Sequence, residues 1–149
     1  ALDVETLEDA EALMRGFAAD WDARDIFFMG AWTRDGGELV AQIVVMVENW
    51  ERCEFAVGYF VDKDHEGQGF VTEGARAALR FAFEDLGARR VSSECNEVNV
   101  RSRRVLERCG FVQEGLRRAR HPEIPLPDGS ASGDCLYGML REEWEGREA

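Results

Sequence analysis

The stretch His65-Glu66-Gly67-Gln68-Gly69-Phe70-Val71-Thr72-Glu73 carries residues whose types and spacing suit the holding of a phosphate. Two glycines separate an almost wholly apolar run, Phe55 to Val61, from a segment whose apolar positions, Val71, Ala75, Ala78, Leu79, Ala82, Phe83 and Leu86, recur at intervals of three and four. The first pattern is that of a strand buried on both faces, the second that of one face of a helix. A glycine turn feeding a helix leaves backbone N–H groups unpaired at the positive end of the helix dipole, which suits a phosphate or pyrophosphate. Gly-x-Gly alone also describes a tight turn that holds nothing. The choice between the two rests on the rest of the chain.

The elements that position this turn follow from the patterning on either side. Ala1 to Val4 reads as the end of a strand, and Thr6 as the N-cap of a helix with Leu7, Ala10, Leu13, Met14 and Phe17 on one face and Glu8, Asp9 and Glu11 in its first turn. It ends between Ala19 and Asp25. Ile26 to Thr33 and Leu39 to Val47 form a hairpin about Asp35-Gly36-Gly37, and Glu48 to Glu54 is a polar loop centred on Trp50. After the central helix Gly87 is a C-cap, Val91 to Cys95 a short strand, and Asn99 the cap of a helix with Val105, Leu106 and Cys109 inside and Gly110 at its end. Phe111 to Ala119 reads as a strand, His121 to Gly133, with all three prolines, as a loop, and Asp134 to Leu140 as the last strand. This order predicts an α+β fold with a mixed sheet in one domain, residues 1–149.

Composition narrows the partners. The chain has 149 residues, 30 acidic against 18 basic, a formal net charge of −12 and a pI near 4.6. A field of that sign argues against nucleic acid and anionic membranes and favours a cationic partner, so any phosphate must be held by local groups. The bland account of the same acidity is solubility or a salt-adapted source. No apolar run approaches the roughly 20 residues of a membrane span, and no signal-peptide pattern opens the chain. A soluble, cytoplasmic protein is the expectation. Cys53, Cys95, Cys109 and Cys135 contain no C-x-x-C pair, and with two histidines no zinc site is expected.

Two motifs, about 30 residues apart and in this structural order, resemble one family. They are Gly58-Tyr59-Phe60-Val61 leading into His65 to Glu73, and Asn99-x-x-Ser102 followed by Val105-Leu106-Glu107-Arg108-Cys109-Gly110-Phe111. Together they resemble the acetyl-CoA-binding core of the GNAT N-acetyltransferases, in particular the RimJ/RimL-type branch that acetylates protein N-termini and other amines. The resemblance implies the GNAT acyl-CoA N-acyltransferase fold, a mostly antiparallel twisted sheet flanked by helices. It also implies that the strand before the turn splays from its neighbour and offers backbone groups of Tyr59, Phe60 and Val61 to the pantetheine arm. The pyrophosphate would lie on the N–H groups of Gly67, Gln68, Gly69, Phe70 and Val71 with the Thr72 hydroxyl, and Asn99 and Ser102 would also contact the cofactor. Three positions depart from the pattern. Glu66 stands where relatives carry Arg or Gln, Val71 where they carry a small residue, and Leu106 where several carry a tyrosine that protonates the leaving thiolate. Lys63 and Gln68 are the residues placed to offset Glu66.

Acetyl transfer needs a neutral acceptor amine, a group to take its proton and a donor to polarise the thioester carbonyl. The resemblance places that donor at the N–H of Phe60 or Val61. Glu94, five residues before Asn99, is the first candidate base by likeness to N-terminal acetyltransferases; Glu54 is second and Glu48 third. Tyr137, Ser102 or water are candidates to protonate the thiolate, and Trp32, Trp50 and Phe28 are candidates for an acceptor pocket. Neither Cys95 nor Cys109 has an evident His partner, so no acyl-cysteine route is expected. His65 is read as a surface turn residue. The reading is thus an acetyl-CoA-dependent N-acetyltransferase acting on a protein N-terminus or small amine by direct transfer, with a homodimer through an exposed final strand. The alternative is a non-catalytic acyl-CoA-binding or regulatory module. A nucleotide binder of another kind is not expected, because the chain lacks the Lys-Ser/Thr pair of a P-loop.

Overall fold

The computed structural model describes residues 5–148; the strand end expected at Ala1 to Val4 lies outside them. Thr6 opens α1 (Leu7–Ala23) through a capping box, its hydroxyl accepting from the Asp9 N–H at 3.1 Å while the Asp9 carboxylate accepts from the Thr6 N–H at 3.0 Å. The apolar face of α1 is only partly used. Phe17 stacks on Phe28 and Trp21 packs against Phe27 and Phe81, whereas Leu7 and Met14 stay exposed.

Six strands follow in one sheet: β1 (Ile26–Trp32), β2 (Leu39–Asn49), β3 (Glu54–Val61), β4 (Arg90–Asn96), β5 (Val112–Pro125) and β6 (Ala131–Leu140). Their order across the sheet is β1-β2-β3-β4-β6-β5, antiparallel throughout except for the central β3–β4 pair. That parallel pair requires a crossover, which α2 (Phe70–Arg80) and the wider helical turn Phe81–Asp85 provide. The remaining helices are α3 (Val100–Cys109) and α4 (Arg141–Glu148).

The two faces of the sheet have different fates. Side chains alternate along each strand, and Phe55, Val57, Val91, Tyr137 and Met139 fall on one face with Ala75, Ala78, Leu79, Phe83 and Leu106 of the crossover and α3. This helical face holds the core. Ser92, Glu94, Asp134 and Phe60 lie on the other face, where Glu94 is exposed and Phe60 is 69% exposed. A second reactant can therefore approach the central strands from this open face.

Two loops of the sequence reading are shorter than expected. The segment expected as a loop from Glu48 to Glu54 narrows to the four residues 50–53, because β2 runs to Asn49. The expected loop from His121 to Gly133 is largely strand: β5 continues to Pro125 and β6 begins at Ala131. β5 is the edge of the sheet, so Pro122 and Pro125 can turn their missing donors to solvent without breaking a ladder. Between Arg117 and His121 the register slips, three residues of β5 facing Gly133 alone, and Ala119 takes a left-handed φ of 54°. A Cβ on Gly133 would come within 2.1 Å of the Arg117 carbonyl oxygen. Gly133→Ala is therefore expected to destabilise the protein by about 1–3 kcal/mol, as forced overpacking does, read as a lower urea midpoint.

Candidate active site

The central pair opens where the site begins. β3 and β4 pair at Glu54–Arg90, Phe55–Val91 and Ala56–Ser92, and no further. At the next position the buried Ser93 hydroxyl donates to the Val57 carbonyl at 2.7 Å, taking the place of a ladder N–H. Beyond it β3 stays with β2 and β4 with β6, so the strands diverge. Backbone groups alternate along a strand. Val57 turns its carbonyl toward β4, and Asp62 turns its N–H toward β2, donating to Val40 at 3.1 Å. The backbone groups of Tyr59 and Val61 consequently face the opening, and those of Phe60 face Gln42. Of the two amides expected to polarise a carbonyl there, only that of Val61 points into the gap.

α3 closes the floor of this opening. Asn99 caps α3, accepting from the Ser102 N–H at 3.1 Å, as a plain helix cap would. The Tyr59 phenol reaches across to the Ser102 hydroxyl at 2.7 Å and carbonyl at 3.1 Å. Burial pushes its pKa up to about 12, so the phenol stays protonated. Leu106 is fully buried in the core. Tyr137 is buried one strand from the gap, accepting from Arg103 at 3.4 Å and donating to Glu107 at 3.3 Å, with burial raising its pKa.

At the end of β3, Gly67 and Gly69 take left-handed φ of 76° and 82°, the region glycine alone enters freely. Gly69 caps α2 without a side-chain bond. Among the described residues no carbonyl or side chain accepts the N–H groups of Gly67 through Thr72, which leaves them to an anion. The Gln68 side-chain Nε2 donates to the Asp64 carbonyl at 3.4 Å. What offsets Glu66 is neither Gln68 nor Lys63 but Arg101 of α3, whose guanidinium pairs with its carboxylate. Sequence reading missed three further arginines. Arg76, Arg80 and Arg108 line, with Gly69 and Thr72, a groove of about 680 Å³ beside the turn. The helical spacing of Arg76 and Arg80 with Thr72 was the signal for two of them. A larger cavity of about 1070 Å³ lies between the β1–β2 hairpin and α2, lined by Trp32 and His65. Trp50 and Phe28 do not reach it. They pack on Phe55 and Phe17.

The carboxylates expected as bases separate. Glu54 pairs with Arg89 at 2.8 Å at the closed end of the β3–β4 ladder, five residues before Tyr59. Glu48 accepts from the Ser92 hydroxyl at 3.0 Å on the open face, beside the last ladder pair. Glu94 stands on the open face at the mouth of the gap, its carboxylate held by Arg117 at 3.0 Å.

A family model described as Acetyltransferase (GNAT) domain matches residues 3–112. This chain belongs to the GNAT acetyltransferase family. It is 35% identical over 92 residues to YdaF of Bacillus subtilis, which carries the name of a ribosomal N-acetyltransferase, covering 62% of this chain and 48% of that protein. It is 36% identical over 96 residues to the FsC-acetyl coenzyme A-N(2)-transacetylase of Aspergillus fumigatus, covering 63% of this chain and 38% of that protein. The chain thus spans half or less of the length of these curated relatives. A solved structure from T. thermophilus, named as an acetyltransferase, superposes with a TM-score of 0.72 at 31% identity, over 98% of this chain and 73% of that one.

The Ser93 hydroxyl satisfies the Val57 carbonyl where the two strands part, and its removal tests this role. Ser93→Ala leaves the Val57 carbonyl buried without its donor, at an expected cost of about 1–3 kcal/mol. The urea midpoint should fall with an unchanged slope.

Proposed function

We propose that this chain is an acetyl-CoA-dependent N-acetyltransferase that transfers acetyl directly to a primary amine, a protein N-terminus or a small amine. The observation that carries the proposal is the open β3 edge at Tyr59 and Val61 running into the glycine turn at Gly67–Gly69. An extended amide arm can pair with such an edge as an added strand, and a pyrophosphate can sit on the free amides of the turn. Both requirements are met by one molecule of acyl-CoA form. The GNAT family supplies the donor, the name of YdaF supports a ribosomal protein as acceptor, and the name of the Aspergillus transacetylase supports acetyl coenzyme A as donor and a nitrogen as the acceptor atom.

In this reading Gly67, Gln68, Gly69, Phe70, Val71 and Thr72 hold the pyrophosphate, with Arg76 and Arg108 beside them. Asn99 and Ser102 contact the cofactor from α3, and the Val61 N–H polarises the thioester carbonyl. The acceptor enters from the open face past Phe60 and Glu94. The four cysteines, all free, support a cytoplasmic setting. The final strand, expected to be exposed, is β6, which lies buried between β4 and β5, so the exposed β5 edge is instead the surface we assign to a homodimer.

Acetyl-CoA at a hundred times its Kd is expected to stabilise the fold by about 2.7 kcal/mol, a rise in Tm of roughly 5–10 °C for a chain of this size. Gly69→Val, which forces a β-branched residue into the left-handed region, should abolish that rise. Thiol release on adding peptides with free N-termini or spermidine separates the enzyme from a binding module, which would show the rise in Tm and no release.

A further inference from the structure

The open face holds a second cluster, at residues whose sequence pattern suggests a loop. His121 of β5 places Nε2 2.8 Å from Oδ1 of Asp134 and Nδ1 2.9 Å from Oε1 of Glu123. Asp134 is buried on β6, and its other oxygen lies 3.7 Å from Arg120. Glu123 is exposed, with 64% of its side chain in solvent. The imidazole is thus anchored on its inner side by a fixed carboxylate and met on its outer side by a solvated one.

The backbone is contorted to place it there. The bulge at residues 118–120, with Ala119 left-handed and Gly133 too close to Arg117 for any side chain, is what brings His121 over Asp134. Strained backbone of this kind persists where a side chain must be aimed. Asp134 faces Asn96, two residues beyond Glu94, on the same face of β4–β6. Diagonal neighbours in such a pair stand about 7–8 Å apart, so Asp134 borders the mouth of the gap and holds the His121 ring on its β5 side. Glu94 itself is occupied by Arg117.

Resting on the acetyltransferase reading above, we propose that His121 is the general base for the acceptor amine, with Asp134 as the residue that orients it and Glu123 as the carboxylate that receives the ammonium. Asp134 keeps the ring proton on Nε2, which leaves the lone pair on Nδ1. The acceptor ammonium replaces the imidazole as partner of Glu123 and gives one proton to Nδ1, directly or through one water. The neutral nitrogen then forms the C–N bond to the acetyl carbon, the C–S bond breaks, and the thiolate leaves with the electron pair. The second proton on nitrogen passes to water, and the imidazolium discharges to solvent.

The charges around His121 set the pH at which this works. Glu123 from its own strand and Asp134 from β6 raise its pKa above the ordinary imidazole value. Arg120 and Arg117 on β5, and Glu97, whose carboxylate accepts from the Gly133 N–H at 2.7 Å, complete the surroundings. A base must be neutral to act, so kcat/KM should rise with pH through a pKa above about 6.5. Stability runs the opposite way: the contribution of the protonated pair is full below about 6.5 and is lost as pH rises through the raised value.

The test measures pH profiles of kcat and kcat/KM for the wild type, His121→Gln, Asp134→Asn and Glu94→Gln, with a free-N-terminal peptide or spermidine as acceptor. His121→Gln is expected to lose about 100-fold or more in kcat and the acid limb of its profile, while keeping the acetyl-CoA-induced rise in Tm. Asp134→Asn should lower kcat and move the limb to lower pH, and its Tm deficit against wild type should shrink as pH rises. Glu94→Gln should keep the limb. An intact limb and a kcat within about twofold of wild type in His121→Gln, or loss of the limb in Glu94→Gln, overturns the proposal and leaves the acetyltransferase reading standing. A wild type that binds acetyl-CoA yet releases no thiol with either acceptor overturns both.

Discussion

The structure depends on a parallel ladder that stops after three pairs. Two adjacent central strands normally satisfy one another, and a buried backbone group left without a partner costs about 1–3 kcal/mol. Here the cost is limited at the point of divergence by the Ser93 hydroxyl on the Val57 carbonyl. Past that point the Tyr59 phenol ties β3 to α3 through Ser102. One hydroxyl contact joins β3 to β4 where they part and the other joins β3 to α3, while the backbone groups of Tyr59 and Val61 face the opening. Because β3 also delivers the chain into the glycine turn, the same divergence places an unpaired strand edge and an unpaired helix start in one line.

Charge is divided between the two faces in a way the net value conceals. The chain carries −12 overall, yet the groove beside the glycine turn gathers Arg76, Arg80 and Arg108, and Arg101 neutralises Glu66. The open face presents Glu94, Asp134 and Glu123 around Arg117, Arg120 and His121. In the proposed reaction an anionic donor and a cationic acceptor are thus drawn to opposite sides of one sheet. The overall negative field then aids the acceptor's approach, and the donor is held by short-range contacts that long-range repulsion offsets only weakly at physiological ionic strength.

What was legible in the sequence is what is decided within a few residues. The glycine turn, the Asn99 cap, the Thr6 cap and the helical periodicity after Gly69 all follow from local chemistry, and the mostly antiparallel sheet followed from the resemblance those motifs carry. The pairings that define the open face and the turn join residues far apart in sequence: Glu94 with Arg117, Glu66 with Arg101 and His121 with Asp134. No periodicity announces them. His121 was hidden for a further reason. Pro122, Pro125 and Pro127 read as a loop, and only the position of β5 at the sheet edge makes strand compatible with two of them.

The loss of the tyrosine at Leu106 bears less on catalysis than the pattern alone suggests. A thiol loses its proton near pH ~8.5, so a departing thiolate near neutral pH is a weak base that water or a hydroxyl can satisfy. An alkyl ammonium titrates near ~10.4 and an α-ammonium near ~8, so the acceptor is protonated at neutral pH and has no lone pair to give. The demanding proton transfer lies on the acceptor side. The fold sets its buried carboxylate, its bulge and its left-handed alanine on the open face, where the proposed mechanism sends that proton, and leaves position 106 to the core.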